Sequence, residues 1–172
     1  IFKIDRADSD EVRWLTSNNV PNQESGQSLV VVEPDPQADM PAQITYLQNY
    51  VQSFDTILFN ERAANFTTRR YRDFIDTPAW IDHHILNAVA YNVDALRLSG
   101  YYFKDRGQKI HAGPIWDFDR ALGSDDGRDS NPTSWSNIEY FFNRDWWGAL
   151  FRDPDFVQAW VDRWAELRQK TL

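Results

Sequence analysis

The sequence contains no cysteine, which excludes disulfides, thiolate nucleophiles and zinc–thiolate centres from all 172 residues. It has no long apolar run either; the longest uninterrupted stretches are a few residues, far short of the ~20 that span a bilayer. Basic residues are in the minority, 18 against 26 acids, giving a net charge of −8 and an isoelectric point near 4.8. With no Lys/Arg stripe, such a chain repels phosphate backbones, which argues against nucleic-acid binding. No signal peptide, internal repeat or low-complexity tract is visible. The chain opens Ile-Phe-Lys without an initiator Met and reads as clipped, so the missing signal assigns no compartment.

Aromatic residues are abundant, with eight Trp, seven Tyr and eleven Phe, and apolar residues make up 42%. That much aromatic surface demands a core, and the length suits one domain or a large part of one.

Residues 1–5 alternate apolar and polar side chains, the pattern of a short strand caught mid-domain. A β-branched run at 29–32 closes on Glu33-Pro34-Asp35-Pro36, a turn. A helix is expected from near Asp39, with Pro41 in its first turn and Ile44, Leu47, Val51, Phe54 and Leu58 as its buried stripe. A linker holding Thr67-Thr68-Arg69-Arg70 leads to Tyr71, Phe74 and Ile75. A second helix is expected to be capped by Thr77, with Pro78 first, running to about Asn92 with Ile81, Ile85, Ala88 and Val89 inward. Then come two strands, 98–103 and 109–115, around a turn at 104–108. The acidic segment 123–133 reads as an exposed loop. Helices over 136–151 and from Asp153-Pro154 onward close the chain. The last presents Phe156, Val157, Trp160, Val161, Trp164 and Leu167 on one side.

The chemistry concentrates between Asn92 and Gly123. A hairpin returns the chain to its starting end, so Asp94 before it and Asp117 after it, twenty-three residues apart, are expected to face one cleft. Two adjacent carboxylates repel unless a proton or cation intervenes. Mg²⁺ removes that penalty and binds carboxylate oxygens together with substrate phosphates. Phosphoryl transfer uses such a pair, one Asp orienting the attacking hydroxyl and one holding the metal.

The order helix, Asp, hairpin, Asp is that of the protein-kinase core. Two positions depart from it: Asp117-Phe118-Asp119 stands in place of Asp-Phe-Gly, and Ser99 in place of a metal-binding Asn. Asn92-Val93-Asp94-Ala95, then Ser99, Tyr101-Tyr102-Phe103-Lys104-Asp105 and Gly113-Pro114-Ile115-Trp116-Asp117-Phe118-Asp119 resemble the CotH family, the spore-coat-protein-H-like atypical kinases. Phe2-Lys3-Ile4-Asp5-Arg6 and residues 71–76 are similar to it too. The resemblance implies an α+β fold, a mostly helical kinase-like C-terminal lobe with a small β-hairpin, forming one domain portion over 1–172. It implies transfer of phosphate from ATP to Ser or Thr of a protein substrate, with Mg²⁺ or Mn²⁺. By position, Asp94 matches the catalytic Asp and Asp117 the metal-binding Asp, joined by Asp119. Asn92 and Ser99 fall at nucleotide-binding positions. The N-terminal lobe with its ATP-holding Lys is missing, and Lys3, so near the start, is not a substitute. The chain alone is expected to fold without catalysing, and the whole protein to be bacterial, secreted or on the cell surface.

Plainer readings stand beside these. Asp94 can simply cap a turn, and Asp117 and Asp119 can flank a buried Phe118. Asp125, Asp126 and Asp129 lack the spacing of a calcium loop and read as solvated. His83, His84 and His111 form no metal-ligand pattern, since neighbouring helical residues diverge by about 100°. Trp146, Trp147, Trp160 and Trp164 read as core anchors, and Trp116 as packing for its strand or a wall of the cleft. A non-catalytic adhesion module and, more remotely, a glycosidase with paired acids are the competing functional classes.

Overall fold

In the computed structural model the described residues are 1–18, 20–21, 26–35, 40–124, 127–128, 131 and 139–170. Strands β1 (Phe2–Arg6), β2 (Arg13–Trp14) and β3 (Gln27–Val31) precede helix α1 (Pro41–Ala63). A 3₁₀ turn at Arg70–Asp73, helix α2 (Thr77–Val89) and strands β4 (Gly100–Phe103) and β5 (His111–Ala112) follow. Helices α3 (Glu139–Phe142), α4 (Asp145–Leu150) and α5 (Pro154–Lys170) end the chain. The fold is α+β, as expected, but the hairpin is not a separate ribbon. It completes one antiparallel sheet of five strands in the order β2-β3-β1-β4-β5. The first residues of the chain thus form its central strand.

Alternation explains which sheet face is covered. Phe2 and Ile4 are fully buried, and register sets Phe2 against Val31 on one side and Tyr102 on the other. Lys3 and Asp5 point to the opposite face, where Lys3 lies against Tyr101. The covered face meets Trp80 of α2 and Trp146 of α4, and Phe54 of α1 packs on both; Leu47, Val51, Phe54 and Leu58 of α1 are buried as their spacing predicts.

Several boundaries move. Helix α2 is capped by Asp76, whose carboxylate accepts the Ala79 N–H at 2.9 Å, so Thr77 is inside the helix, and the helix ends at Val89. An Asp two residues before the Pro offers the same cap chemistry as Thr77, and sequence does not separate them. The expected 136–151 helix is two short ones broken at residues 143–144. The break is tight: a Cβ on Gly148 would lie 2.6 Å from the Asn143 carbonyl oxygen. The 123–133 loop, with Asp125, Asp126 and Asp129, falls largely outside the described residues, as does Asp39. Trp146 and Trp147 are buried anchors, whereas Trp160 and Trp164 pack at the edge of the core and Val161 is exposed.

Two polar features hold the helical layer. Asp153 is fully buried yet accepts hydrogen bonds from Tyr71 Oη at 2.6 Å, Arg69 Nε at 2.9 Å and Arg72 Nη2 at 3.4 Å. It ties the start of α5 to the 3₁₀ turn. His84 is held as the neutral imidazole: Nδ1 accepts from Trp160 Nε1 at 3.1 Å, leaving Nε2 to donate to the Phe141 carbonyl at 2.8 Å. Its neighbour His83 stacks on Trp147, and its ring nitrogens have no hydrogen-bond partner among the described residues. Burial pushes both imidazoles down to about 4.

Asp153→Ala removes the buried anion shared by two partly exposed arginines and leaves the buried Tyr71 hydroxyl without its acceptor, and is expected to cost about 1–3 kcal/mol in urea denaturation. The histidines give a pH signature. Their depressed values leave stability intact above pH 6.5 and erode it as pH falls toward 4, because the unfolded chain takes up protons that the fold excludes. Unfolding free energies measured from pH 7 to 4 should drop by about 3 kcal/mol per imidazole. His83→Phe, which keeps the ring stack, should roughly halve that drop.

Candidate active site

After α2 the chain turns sharply, with Tyr91 in the left-handed region at φ 51°. Val93, Ala95 and Leu96 are then buried, pinning a compact turn to the core. Within it the Asp94 carbonyl accepts N–H groups from Arg97 and Leu98 at 3.0 and 2.8 Å. The Asp94 side chain, 18% exposed, projects from this pinned turn.

Two residues bracketing Asp94 reach across to Asp117. Asn92, itself buried, donates from Nδ2 to the Asp117 carbonyl at 2.9 Å. Ser99 donates from Oγ to Asp117 Oδ2 at 2.9 Å. One holds the backbone and the other the carboxylate. Asn92 is in turn fixed by Asn87, whose carbonyl takes its N–H at 2.9 Å. Ser99 and Asp117 both have left-handed backbones, φ 53° and 57°, costly for residues with a Cβ and concentrated at this spot.

Charge interactions bring the third acid in. The Asp117 carboxyl raises Asp119 above the usual carboxylate range, and the charge of Asp94 acts in the same direction. Asp5, at the end of β1, is raised chiefly by burial and additionally by Asp117. Asp94 behaves oppositely. Partial burial works against its ionisation, but the guanidinium groups of Arg128 and Arg97 outweigh that and hold it below the usual range. The structure thus gathers all five residues selected from sequence, Asn92, Asp94, Ser99, Asp117 and Asp119, into one neighbourhood.

Two further residues weighed from sequence, Trp116 and Lys3, stand outside these five. Trp116 is 60% exposed and touches Tyr101 with ring centroids 6.0 Å apart, so it does not anchor its strand. The Lys3 ammonium lies 3.1 Å from Glu11 and 3.9 Å from Asp5 on the other sheet face. Sequence reasoning missed Arg97 and Arg128. Arg97, three residues past Asp94 in the same turn, was detectable as a local partner. Arg128 carried no local signal.

Asp117 and Asp119 suit a divalent cation in donor chemistry, since two crowded, accessible carboxylates are relieved by one. Among the described residues no group of three or more His, Asp or Glu gathers into a self-sufficient metal cage. That is compatible with Mg²⁺, which takes one or two carboxylates and completes its shell with phosphates and water. Cavities of about 590 and 400 Å³ open elsewhere, beside Tyr46 and Lys104 and beside Arg72 and Arg163, and contain none of these acids.

No helix among the described residues is long and apolar enough to cross a membrane. The chain matches no curated protein and no solved structure. The family model described as CotH kinase protein matches residues 11–172. That match spans both acids, the turn that presents Asp94 and the hairpin between them, and the chain therefore belongs to the CotH kinase protein family.

Proposed function

We propose that the complete protein transfers the γ-phosphate of ATP to a Ser or Thr hydroxyl of a protein substrate. The observation that supports this reading is the double clasp on Asp117 by Asn92 and Ser99, the residues two before and five after Asp94 in the chain. Asp94 would orient the acceptor hydroxyl and take its proton as the oxygen bonds to the γ-phosphorus. The bond from phosphorus to the β–γ bridging oxygen breaks, and its electron pair leaves on ADP. Asp117 and Asp119 would hold Mg²⁺ or Mn²⁺, which supplies neutralisation of the phosphate charge. Ser99 steadies the Asp117 carboxylate for that task, and Asn92 fixes its backbone.

One observation favours the competing reading, a surface module that keeps the fold without catalysis. Both oxygens of Asp94 are engaged by arginine, as they would be in a purely structural ion pair. Nucleotide binding separates the two. With Mg-ATP at about a hundredfold excess over Kd, the full-length protein should gain about 2.7 kcal/mol, read as a rise of several degrees in Tm. Asp117→Ala should abolish that rise. Asp94→Asn should keep it while lowering phosphate transfer by about 10²–10⁴-fold. Absence of any Mg-ATP stabilisation in the wild type would establish the non-catalytic module.

A further inference from the structure

The two oxygens of Asp94 are not equivalent. Oδ1 accepts three N–H groups, from Arg97 Nε at 2.9 Å, Arg97 Nη2 at 2.6 Å and Arg128 Nη1 at 3.0 Å. Oδ2 accepts Arg128 Nη2 at 3.0 Å. An oxygen with three donors has no room for a fourth, so an acceptor hydroxyl can reach Asp94 only at Oδ2, the atom Arg128 holds.

The two arginines are held differently. Arg97 belongs to the Asp94 turn, with its backbone bonded there and its side chain 16% exposed. Arg128 comes from 34 residues further on, beyond Asp117 and Asp119, and is 27% exposed. Arg97 alone supplies the countercharge that one carboxylate needs. A second guanidinium, forked across both oxygens, covers the very atom the reaction requires. The same planar fork fits phosphoryl oxygens as well as it fits a carboxylate.

We infer that Arg128 is a phosphate-contacting catalytic residue. Its guanidinium rests on Asp94 and exchanges onto the transferring phosphoryl group, which frees Oδ2 for the acceptor hydroxyl. The inference rests on the phosphotransfer reading above. It makes exposure of Asp94 conditional on a bound triphosphate, so the resting site does not present its base to water.

The test compares Mg-ADP with a Mg-bound non-hydrolysable ATP analogue by calorimetry on the full-length protein, alongside steady-state transfer. The wild type should prefer the triphosphate by about tenfold, the worth of a charge-assisted contact to the γ-phosphate. Arg128→Gln should erase that preference, leave Mg-ADP affinity within about twofold, and lower kcat by about a hundredfold. Arg128→Lys, keeping the charge without the fork, should recover part of both, and unliganded Tm should stay level across the set. Unchanged triphosphate preference in Arg128→Gln, or turnover at or above wild type, overturns the role of Arg128 while the phosphotransfer reading survives. A wild type that binds neither nucleotide overturns both.

Discussion

The architecture hangs on a single aromatic junction. Trp80 of α2 lies against Trp147, Tyr102, Phe54 and Trp146, with centroid separations of 4.9, 5.1, 5.6 and 6.1 Å. Those rings come from α4, β4 and α1, and Phe2 of β1 joins them by stacking on Tyr102 at 5.3 Å. Trp80 Nε1 also donates to the Ile110 carbonyl at 3.0 Å, fastening the return arm of the hairpin. Each large ring removes 150–250 Å² from water, on the order of 4–6 kcal/mol apiece. Strands as short as β5, two residues long, have no independent stability, and this junction is what holds them in register.

The candidate site inherits its rigidity from that junction. Asp94 and Asp117 sit on irregular backbone, but Asp94 lies among buried Val93, Ala95 and Leu96, and the Asp117 carbonyl is held by buried Asn92 across the fold. Left-handed Ser99 and Asp117 are held by the hydrogen bond that joins their side chains and by the Asn92 clasp on the Asp117 carbonyl. Precision at an exposed carboxylate is thus maintained by residues with no chemistry of their own.

Acids in this chain divide by environment. Asp153 and Asp55 are fully buried and well supplied with donors, Asp55 accepting from Trp146 Nε1 at 3.0 Å and Asn18 Nδ2 at 2.6 Å. Such carboxylates are cross-links, and their charge is spent inside the fold. Asp117 and Asp119 are accessible and crowd one another, a costly arrangement for stability alone. The contrast sets the candidate site apart in a strongly acidic protein. Asp94 lies between these classes, half-buried and ion-paired but facing the accessible pair.

Periodicity in the sequence determined helices α1, α2 and α5, most of their buried stripes (Val89 and Val161, expected inward, are exposed) and the approximate strands, because those depend on side chains near in sequence. Motif resemblance picked out all five residues that converge, including Asn92 and Ser99, whose clasping of Asp117 spacing alone does not reveal. Cap choice at Asp76 and the break before Gly148 were lost where two local solutions compete or where a distant carbonyl decides. Only tertiary structure decided that β1 is the central strand beside the hairpin, that Lys3 is paired with Glu11, and that Arg128 grips Asp94. Sheet neighbours and long-range ion pairs are selected by burial and charge summed over the whole fold, and a linear pattern carries no record of that sum.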